Sequence, residues 1–271
     1  MSNRSVIIIS VYLNDTLAIV QEMFESLFNQ SVKDFDIFVQ QDGPIEQQLE
    51  QYLDTLYHEK KISFLAKRQE NRGLAYSLNA LIQRALDLEY TYIFRMDADD
   101  IALSYRIEHQ RNYLNEHLEV DLLGGWIEEF NTDTHERKTI YYPQEHEAIL
   151  KHMIKRNPMA HVTVTFRADF FRKYGLYDVM SSNEDFRLWV EAFDQGATFH
   201  NLQVILVKVR TNNAFYTRRK DKKRALEVMK IKCDATKRFG FGYKGYFYAM
   251  AHYLLFMAPG SLKQLIYKYF R

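Results

Sequence analysis

Over the first hundred residues, short unbroken apolar runs alternate with longer segments in which apolar positions recur every three or four residues. Val6-Ile7-Ile8-Ile9-Ser10-Val11-Tyr12 is largely β-branched, the pattern of a strand buried on both faces of a parallel sheet. Leu17, Val20, Phe24, Leu27 and Phe28 then fall at helical spacing, with Asn14 or Asp15 positioned to cap that helix. A second strand, 35–41, ends at Asp42-Gly43-Pro44, and a helix carrying Ile45, Leu49, Leu53 and Leu56 on one face leads to a short strand, 62–66. After a turn at Asn71-Arg72-Gly73, the positions Leu74, Leu78, Leu81 and Ala85 mark a third helix, followed by the apolar run that opens with Tyr92-Ile93-Phe94. This alternation predicts right-handed crossovers and an α/β fold, with a mainly parallel, mixed sheet flanked by helices. Ligands of such sheets bind beyond the carboxyl ends of the strands, so Tyr12, Asp42 and residues 97–100 are expected on one rim.

The pattern loosens after Ser104. It predicts a helix over 104–116, strands at 120–125 and 126–130, a turn at Asn131-Thr132-Asp133 and a strand at 139–142. A helix over 144–156 and a strand over 162–166 follow. Asn183-Glu184-Asp185 then opens a helix bearing Phe186, Trp189, Val190 and Phe193, and a last strand covers 204–209. No internal repeat or low-complexity linker interrupts the chain.

Composition narrows the reading. A chain of 271 residues, 47% hydrophobic and 26% charged, is long enough for one substantial core and a small appendage. The single cysteine, Cys233, excludes an internal disulfide and a thiolate metal cage, and the N-terminus lacks the long apolar segment of a signal peptide. A reducing, cytoplasmic location is therefore expected. The net charge of +1 conceals an asymmetry: from Arg218 onward there are 14 Lys+Arg against 3 Asp+Glu (+11), leaving 22 against 32 (−10) for 1–217. The segment 218–238 reads as a basic helix with Ala225, Val228, Met229, Ile231 and Cys233 as intermittent apolar contacts. Gly245 to Ala258 carries no formal charge but falls short of the roughly 20 apolar residues that span a bilayer. It predicts an interfacial element on a membrane surface, with a helical flap packed on the preceding domain or in a dimer as the alternative.

Asp97-Ala98-Asp99-Asp100 places three carboxylates within four residues at a strand end. Hard Mn²⁺ or Mg²⁺ prefers oxygen ligands, and few other tasks offset that repulsion. Capping of a helix near Ala102 or Ser104 accounts for one of these acids and not for three. Read alone, Asp185 is equally suited to pairing with a helix dipole, His161 to a place in the core, and Gly73 to a simple turn.

Taken together, the opening strand, Asn29-Gln30-Ser31, Asp42-Gly43-Pro44, Asn71-Arg72-Gly73-Leu74, Arg95-Met96-Asp97-Ala98-Asp99-Asp100, Gly124-Gly125, His161, and Asn183-Glu184-Asp185 with Leu188-Trp189 resemble family 2 of the glycosyltransferases, with their GT-A fold. The resemblance runs from about residue 4 to 212. Within the family it points to bacterial enzymes that assemble O-antigen, capsule or exopolysaccharide units on a lipid carrier. It implies a catalytic domain over 1–217, with a nucleotide-binding half to about 102 and an acceptor-binding half beyond, and a membrane-associating helical extension over 218–271.

The same resemblance implies that a nucleoside-diphosphate sugar lies along the rim, touching Ser10, Tyr12, Asp42, Asn71, Arg72, Arg95, Asp97, Ala98 and Asp99. Asp99 and Asp100 would hold Mn²⁺ or Mg²⁺. Gln41 stands where the family often has a second acid, a departure that weakens the identification of the base as uracil. Asp185 would act as general base with Glu184 beside it, while Trp126, His161, Tyr216, Arg218 and Arg219 would meet the acceptor or the diphosphate. The implied reaction is inverting transfer of a hexose from UDP-glucose or UDP-galactose to a polyprenyl-diphosphate-linked GlcNAc in β-1,3 linkage, at the inner face of the cytoplasmic membrane. Nucleic acid is not an expected partner, and the resemblance leaves the oligomeric state open. The alternatives are a nucleotidyltransferase, which would need a glycine-rich phosphate loop in place of Val11-Tyr12-Leu13-Asn14-Asp15, and a basic membrane- or nucleic-acid-binding module, which leaves the carboxylates without a task.

Overall fold

The computed structural model describes residues 4–212 and 222–257. The central strand β1 (Ser5–Val11) is buried along nearly its whole length, and its side chains divide between two cores. Val6 and Ile8 enter one with Phe38, while Ile7, Ile9 and Val11 enter the other with Ile37 and Val39. That is the period-two division of a strand covered on both faces. β2 (Phe35–Gln41) and β4 (Tyr92–Asp97) flank β1 in parallel, and β3 (Phe64–Lys67) lies outside β2. α1 (Leu17–Phe28) and α2 (Gln47–His58) cover one face through Val20, Phe24, Leu49 and Leu53. α3 (Leu74–Asp87) covers the other through Leu78, Leu81 and Ala85. All three helices lie where the apolar spacing put them.

Beyond β4 come β5 (Ile101–Ala102), α4 (Arg106–Glu116), β6 (Leu122–Asn131), β7 (Arg137–Ile140), α5 (His146–Met153), β8 (Thr165–Arg167), α6 (Ala168–Tyr174), α7 (Glu184–Asp194) and β9 (Phe199–Thr211). The sheet runs β3-β2-β1-β4-β8-β6-β9-β5, with β7 on the side of β6. Its long ladders, β1–β2, β1–β4 and β6–β9, are parallel, whereas the β4–β8, β6–β8 and β5–β9 pairings are short and antiparallel. The mixed α/β fold with helices on both faces is the one expected.

Several local expectations are corrected. The two strands predicted at 120–125 and 126–130 are one strand, β6, whose register against β9 shifts around Trp126. A Cβ on Gly124 would stand 2.4 Å from Asn201 Oδ1, and one on Gly125 would stand 2.4 Å from Leu206 Cδ1, so neighbouring side chains lie across a bare stretch of backbone. The strand predicted over 162–166 is shorter and later: Val162 and Thr163 belong to a 3-10 turn, His161–Thr163, and the strand itself is β8, Thr165–Arg167. β9 starts at Phe199, ahead of the predicted 204, and α6 was not predicted at all.

Two further helices, α8 (Lys222–Phe239) and α9 (Gly242–Met257), follow. Ile231 and Ala235 of α8 join the same core as Phe186, Trp189 and Val190 of α7. Glu227 fastens the two helices together: it accepts hydrogen bonds from the Ser181 hydroxyl (2.6 Å), the Ser182 N–H (3.0 Å) and Asn183 Nδ2 (3.2 Å). Arg238 adds an ion pair to Asp194 at 2.5 Å. α9 approaches α8 through Gly245 and Ala249, both buried, and a Cβ on Gly245 would stand 2.2 Å from Thr236 Oγ1. The opposite side of α9 exposes Tyr243, Phe247, Met250 and Leu254, which form one stripe at helical spacing. No helix of the described residues is long and apolar enough to cross a membrane. Because the Thr236 side chain is stiff, Gly245→Ala is expected to lower the unfolding free energy by about 1–3 kcal/mol, read from urea denaturation.

Candidate active site

The ladder register builds the rim. Ser10 lies beside Gln40 on one side and Asp97 on the other, and the Asp42 N–H donates to the Val11 carbonyl at 2.8 Å. Asp97 ends β4, Ala98 is buried in the turn, the Asp99 residue keeps some surface exposed, and Asp100 is buried as the chain enters β5. Their carboxylate oxygens lie within 4.8 Å of one another. The turn is held from several sides. The Arg210 N–H donates to Asp100 Oδ1 (2.8 Å), Arg210 Nε donates to the Asp99 carbonyl (3.0 Å), and the same guanidinium pairs with Glu22 (2.5 Å). Buried Arg95 forms an ion pair with Asp97, and beneath it buried Arg106 donates to the Arg95 carbonyl at 2.7 Å.

The three acids destabilise one another. Burial, then the charges of Asp99 and Asp97, push the Asp100 carboxyl well above the usual range. Loss of surrounding water and the neighbouring Asp97 raise Asp99 to about 6. Asp15, buried close by, rises to about 7, chiefly through burial, with Asp99 and Asp97 adding to it. An oxygen-only donor set with surplus negative charge fits a hard divalent cation. None of these acids caps the following helix, since α4 begins at Arg106 with Tyr105 at its N-cap.

At the next strand end, Asp42 is buried and its carboxylate accepts from Arg68 Nη1 (3.1 Å), the Arg72 N–H (3.1 Å) and the Gly73 N–H (2.8 Å). Asn71 Nδ2 donates to the Asp42 carbonyl at 3.1 Å, so the 71–73 loop is folded across the end of β2. Gly43 makes this possible: its φ is +89°, and a Cβ there would stand 2.7 Å from the Asn71 nitrogen. The guanidinium of exposed Arg72 stacks over Tyr76 at 4.1 Å. Tyr12 is exposed at the end of β1, and its N–H donates to Asp15 Oδ2 at 2.8 Å. Asp15 therefore serves this turn and not the predicted cap: Thr16 is the N-cap of α1 and makes no side-chain capping bond.

Glu184 and Asp185 occupy the first turn of α7. Asn157 Nδ2 donates to Asp185 Oδ2 at 2.6 Å, which fixes the carboxylate and leaves Oδ1 without a hydrogen bond among the described residues. Burial and the charge of Asp185 raise Glu184 to about 7. His161 Nε2 is 2.8 Å from the Tyr177 hydroxyl, and its ring meets Trp189 edge-on at 5.9 Å. Burial and Arg95 hold this imidazole neutral, with its pKa well below the usual value. The charge of buried Arg95 is felt by Asp99, Asp100, His161, Tyr177 and Glu184, so the acidic turn and the start of α7 lie within electrostatic reach of one guanidinium. Trp126 is half-buried on β6, its indole N–H donating to the Tyr142 carbonyl at 3.1 Å with Tyr141 edge-on at 4.7 Å. Tyr216, Arg218 and Arg219 lie outside the described residues.

Sequence reasoning did not single out Arg68, Asn157 or Arg210, and it gave Asp15 another role. Asn157 and Arg210 are remote in sequence from the carboxylates they serve. The Arg-x3-Arg spacing of Arg68 and Arg72 after β3 is the one local signal of a basic loop.

Comparison with known proteins identifies the family and the fold. The model of the family described as "Glycosyl transferase family 2" matches residues 6–175. The amylovoran biosynthesis glycosyltransferase AmsE of Erwinia amylovora is 28% identical over 265 residues, covering 97% of each chain. An Escherichia coli protein named UDP-Gal:alpha-D-GlcNAc-diphosphoundecaprenol beta-1,3-galactosyltransferase is 23% identical, across 97% of this chain and 94% of that one. Among solved structures, a Pyrobaculum calidifontis mannosyltransferase in complex with GDP-Man and Mn²⁺ superposes with a TM-score of 0.65 at 11% identity, over 97% of this chain and 78% of that one, a likeness of fold.

The raised carboxyl groups give a pH signature. Asp15 (about 7) and Asp99 (about 6) hold protons in the folded chain where unfolded carboxyls have lost theirs. Through these two groups the folded state binds more protons between about pH 4 and pH 7, and the stability they contribute is lost as pH rises through that window, while the buried histidines, held below their usual pKa, contribute the opposite slope. The carboxyl effect is therefore read as a difference: in EDTA, the melting temperature of Asp15→Asn relative to wild type is expected to climb from about pH 5 to about pH 8. A difference that stays flat with pH refutes the crowding.

Proposed function

This chain belongs to glycosyl transferase family 2, and we propose that it moves a hexose, with inversion, from UDP-glucose or UDP-galactose to a GlcNAc carried on a polyprenyl diphosphate, forming a β-1,3 linkage in surface-polysaccharide assembly. The observation that carries this reading is the cluster of three carboxylates at the end of β4, held by Arg95 and Arg210, with the Glu184–Asp185 pair within electrostatic reach of the same Arg95. The names of the Erwinia and E. coli relatives support the polysaccharide setting, the uridine donor and the lipid-diphosphate acceptor.

In this reading the base of the donor lies between exposed Tyr12 and the loop that Asp42 holds. The loop is preorganised, because three donors already fix the Asp42 carboxylate before any ligand arrives. Ser10 and Asp97, paired in register, face the sugar-proximal part of the donor. Asp99 and Asp100 would hold a divalent ion, Mn²⁺ or Mg²⁺, which would supply Lewis-acid stabilisation of the departing nucleoside diphosphate. Asp185, oriented by Asn157, offers Oδ1 to the acceptor hydroxyl and takes its proton as attack proceeds from the side opposite the leaving group. Glu184, raised to about 7, retains a proton near neutrality and can donate a hydrogen bond beside the base. Neutral His161, paired with Tyr177, lends a polar edge to the cleft without adding charge. The aromatic stripe of α9 rests on the interfacial region of the cytoplasmic membrane, where the acceptor is anchored.

Three outcomes are expected. In a donor screen with Mn²⁺, Asp185→Asn lowers kcat by about 10²–10⁴ while donor affinity measured by calorimetry is retained. EDTA or Asp99→Ala abolishes transfer, and metal-independent transfer would refute the assignment of the acidic turn. Truncation after Arg238 releases the protein from membranes while leaving donor binding intact, and sedimentation with membranes as before would remove α9 from that role.

A further inference from the structure

A chamber opens beside Asp185. Its volume is about 240 Å³, and its wall includes Arg156, Asn157, Asp185, Arg224, Lys232 and Phe256, drawn from the segment after α5 and from α7, α8 and α9. Arg156, Arg224 and Lys232 are cations, and none of the three forms an ion pair with a carboxylate among the described residues. Arg156 directs Nε to His152 (2.9 Å) and one Nη to the Tyr141 carbonyl (2.7 Å). Arg224 directs Nε to Asn183 Oδ1 at 3.2 Å. Lys232 is 1% exposed, and its ammonium has a single acceptor, the Lys155 carbonyl at 2.8 Å.

An ammonium carries three donors, and burying it without a counter-charge is costly. Burial lowers Lys232 only to about 8, which leaves it largely charged at neutral pH. His252, also on the chamber wall, is held down to about 4 by burial and by Lys232, so it adds no charge. Two arginines and a lysine on the wall of one cavity supply the usual recognition set for phosphate oxygens. Asp185 stands on the cavity wall, and α9 supplies His252 and Phe256 to it while exposing its apolar stripe of Tyr243, Phe247, Met250 and Leu254 elsewhere on the same helix.

Building on the glycosyltransferase reading, we propose that Arg156, Arg224 and Lys232 form the subsite for the diphosphate of the lipid-linked acceptor. The acceptor sugar then lies between the diphosphate and Asp185, and its lipid leaves over α9. The chemistry recognised is a phosphate-bearing anion. Its two sources, the acceptor's diphosphate and the headgroups of anionic membrane lipids, are separated by the test.

The test compares the full-length protein with Arg224→Ala, Arg156→Ala and Lys232→Met, using two acceptors: GlcNAc on a lipid diphosphate and GlcNAc on an uncharged alkyl aglycone. Each variant is expected to raise KM for the diphosphate acceptor about tenfold, with kcat, donor KM and kinetics on the uncharged acceptor unchanged. Arg224→Lys is expected to recover part of the loss. Equal effects on both acceptors overturn the subsite. So does weakened binding to phosphatidylglycerol vesicles with unchanged acceptor kinetics, which would assign the cations to membrane headgroups. If the wild-type protein transfers from no nucleotide sugar, the functional reading fails and the subsite is judged by inorganic diphosphate in EDTA. Binding to wild type that is lost in Arg224→Ala sustains it, and absence of binding to wild type overturns it.

Discussion

Mutual repulsion among closely set carboxylates is the constraint on which this molecule turns. Asp97, Asp99 and Asp100, with Asp15 close by, cannot all lose their protons cheaply, yet the chain holds them together in a turn pinned by backbone as well as by charge. β9 reaches across the sheet to place the Arg210 N–H on Asp100, and β5 exists only as the two-residue pairing that keeps the turn against β9. Arg95 and Arg106 lie buried beneath it, one paired with Asp97 and the other bonded to the backbone of β4. A turn held in this way has most of the ordering that a cation site requires done in advance.

The two halves of the sheet contribute differently. The parallel half, β3-β2-β1-β4, aligns its strand ends into a rim by register alone, and so positions Ser10, Asp42 and Asp97 without any specialised loop. The mixed half is irregular where it matters. A register shift, a bare glycine pair and a 3-10 turn bring β6, β9 and His161 together around Arg95. Regular structure supplies the platform here, and departures from it supply the chemistry.

Much of the first half was legible in the sequence because each element announces itself by a period. The unbroken run of β1 and the spacing of α1, α2 and α3 each have a single physical reading. The second half was less legible for local reasons. Gly124 and Gly125 have no side chains to carry a period, so one bulged strand read as two. α6 is seven residues long and too short to display a helical repeat, and β5 has meaning only through its partner. In the site, Asp97, Asp99, Asp100 and Asp185 stood out by chemistry. The groups that orient them did not: Asn157 lies 28 residues from Asp185 and Arg210 lies 110 from Asp100. Asp15 looked like a helix cap because position and residue type suit one, and the competing N–H of Tyr12 emerges only once the turn is folded. Chamber residues contributed by separate elements leave no trace in any single window.

The Glu227 bridge has one more consequence. By tying Ser181, Ser182 and Asn183 to α8, it makes the turn that presents Asp185 continuous with the helix that presents Arg224 and Lys232. In the proposed reaction, Asp185 and these cations would keep one separation, which would act as a ruler laid along the acceptor. Regiochemistry would follow from length: among several equivalent alcohols on a pyranose ring, the one that reacts is the one standing at the set distance from the anchored phosphorus.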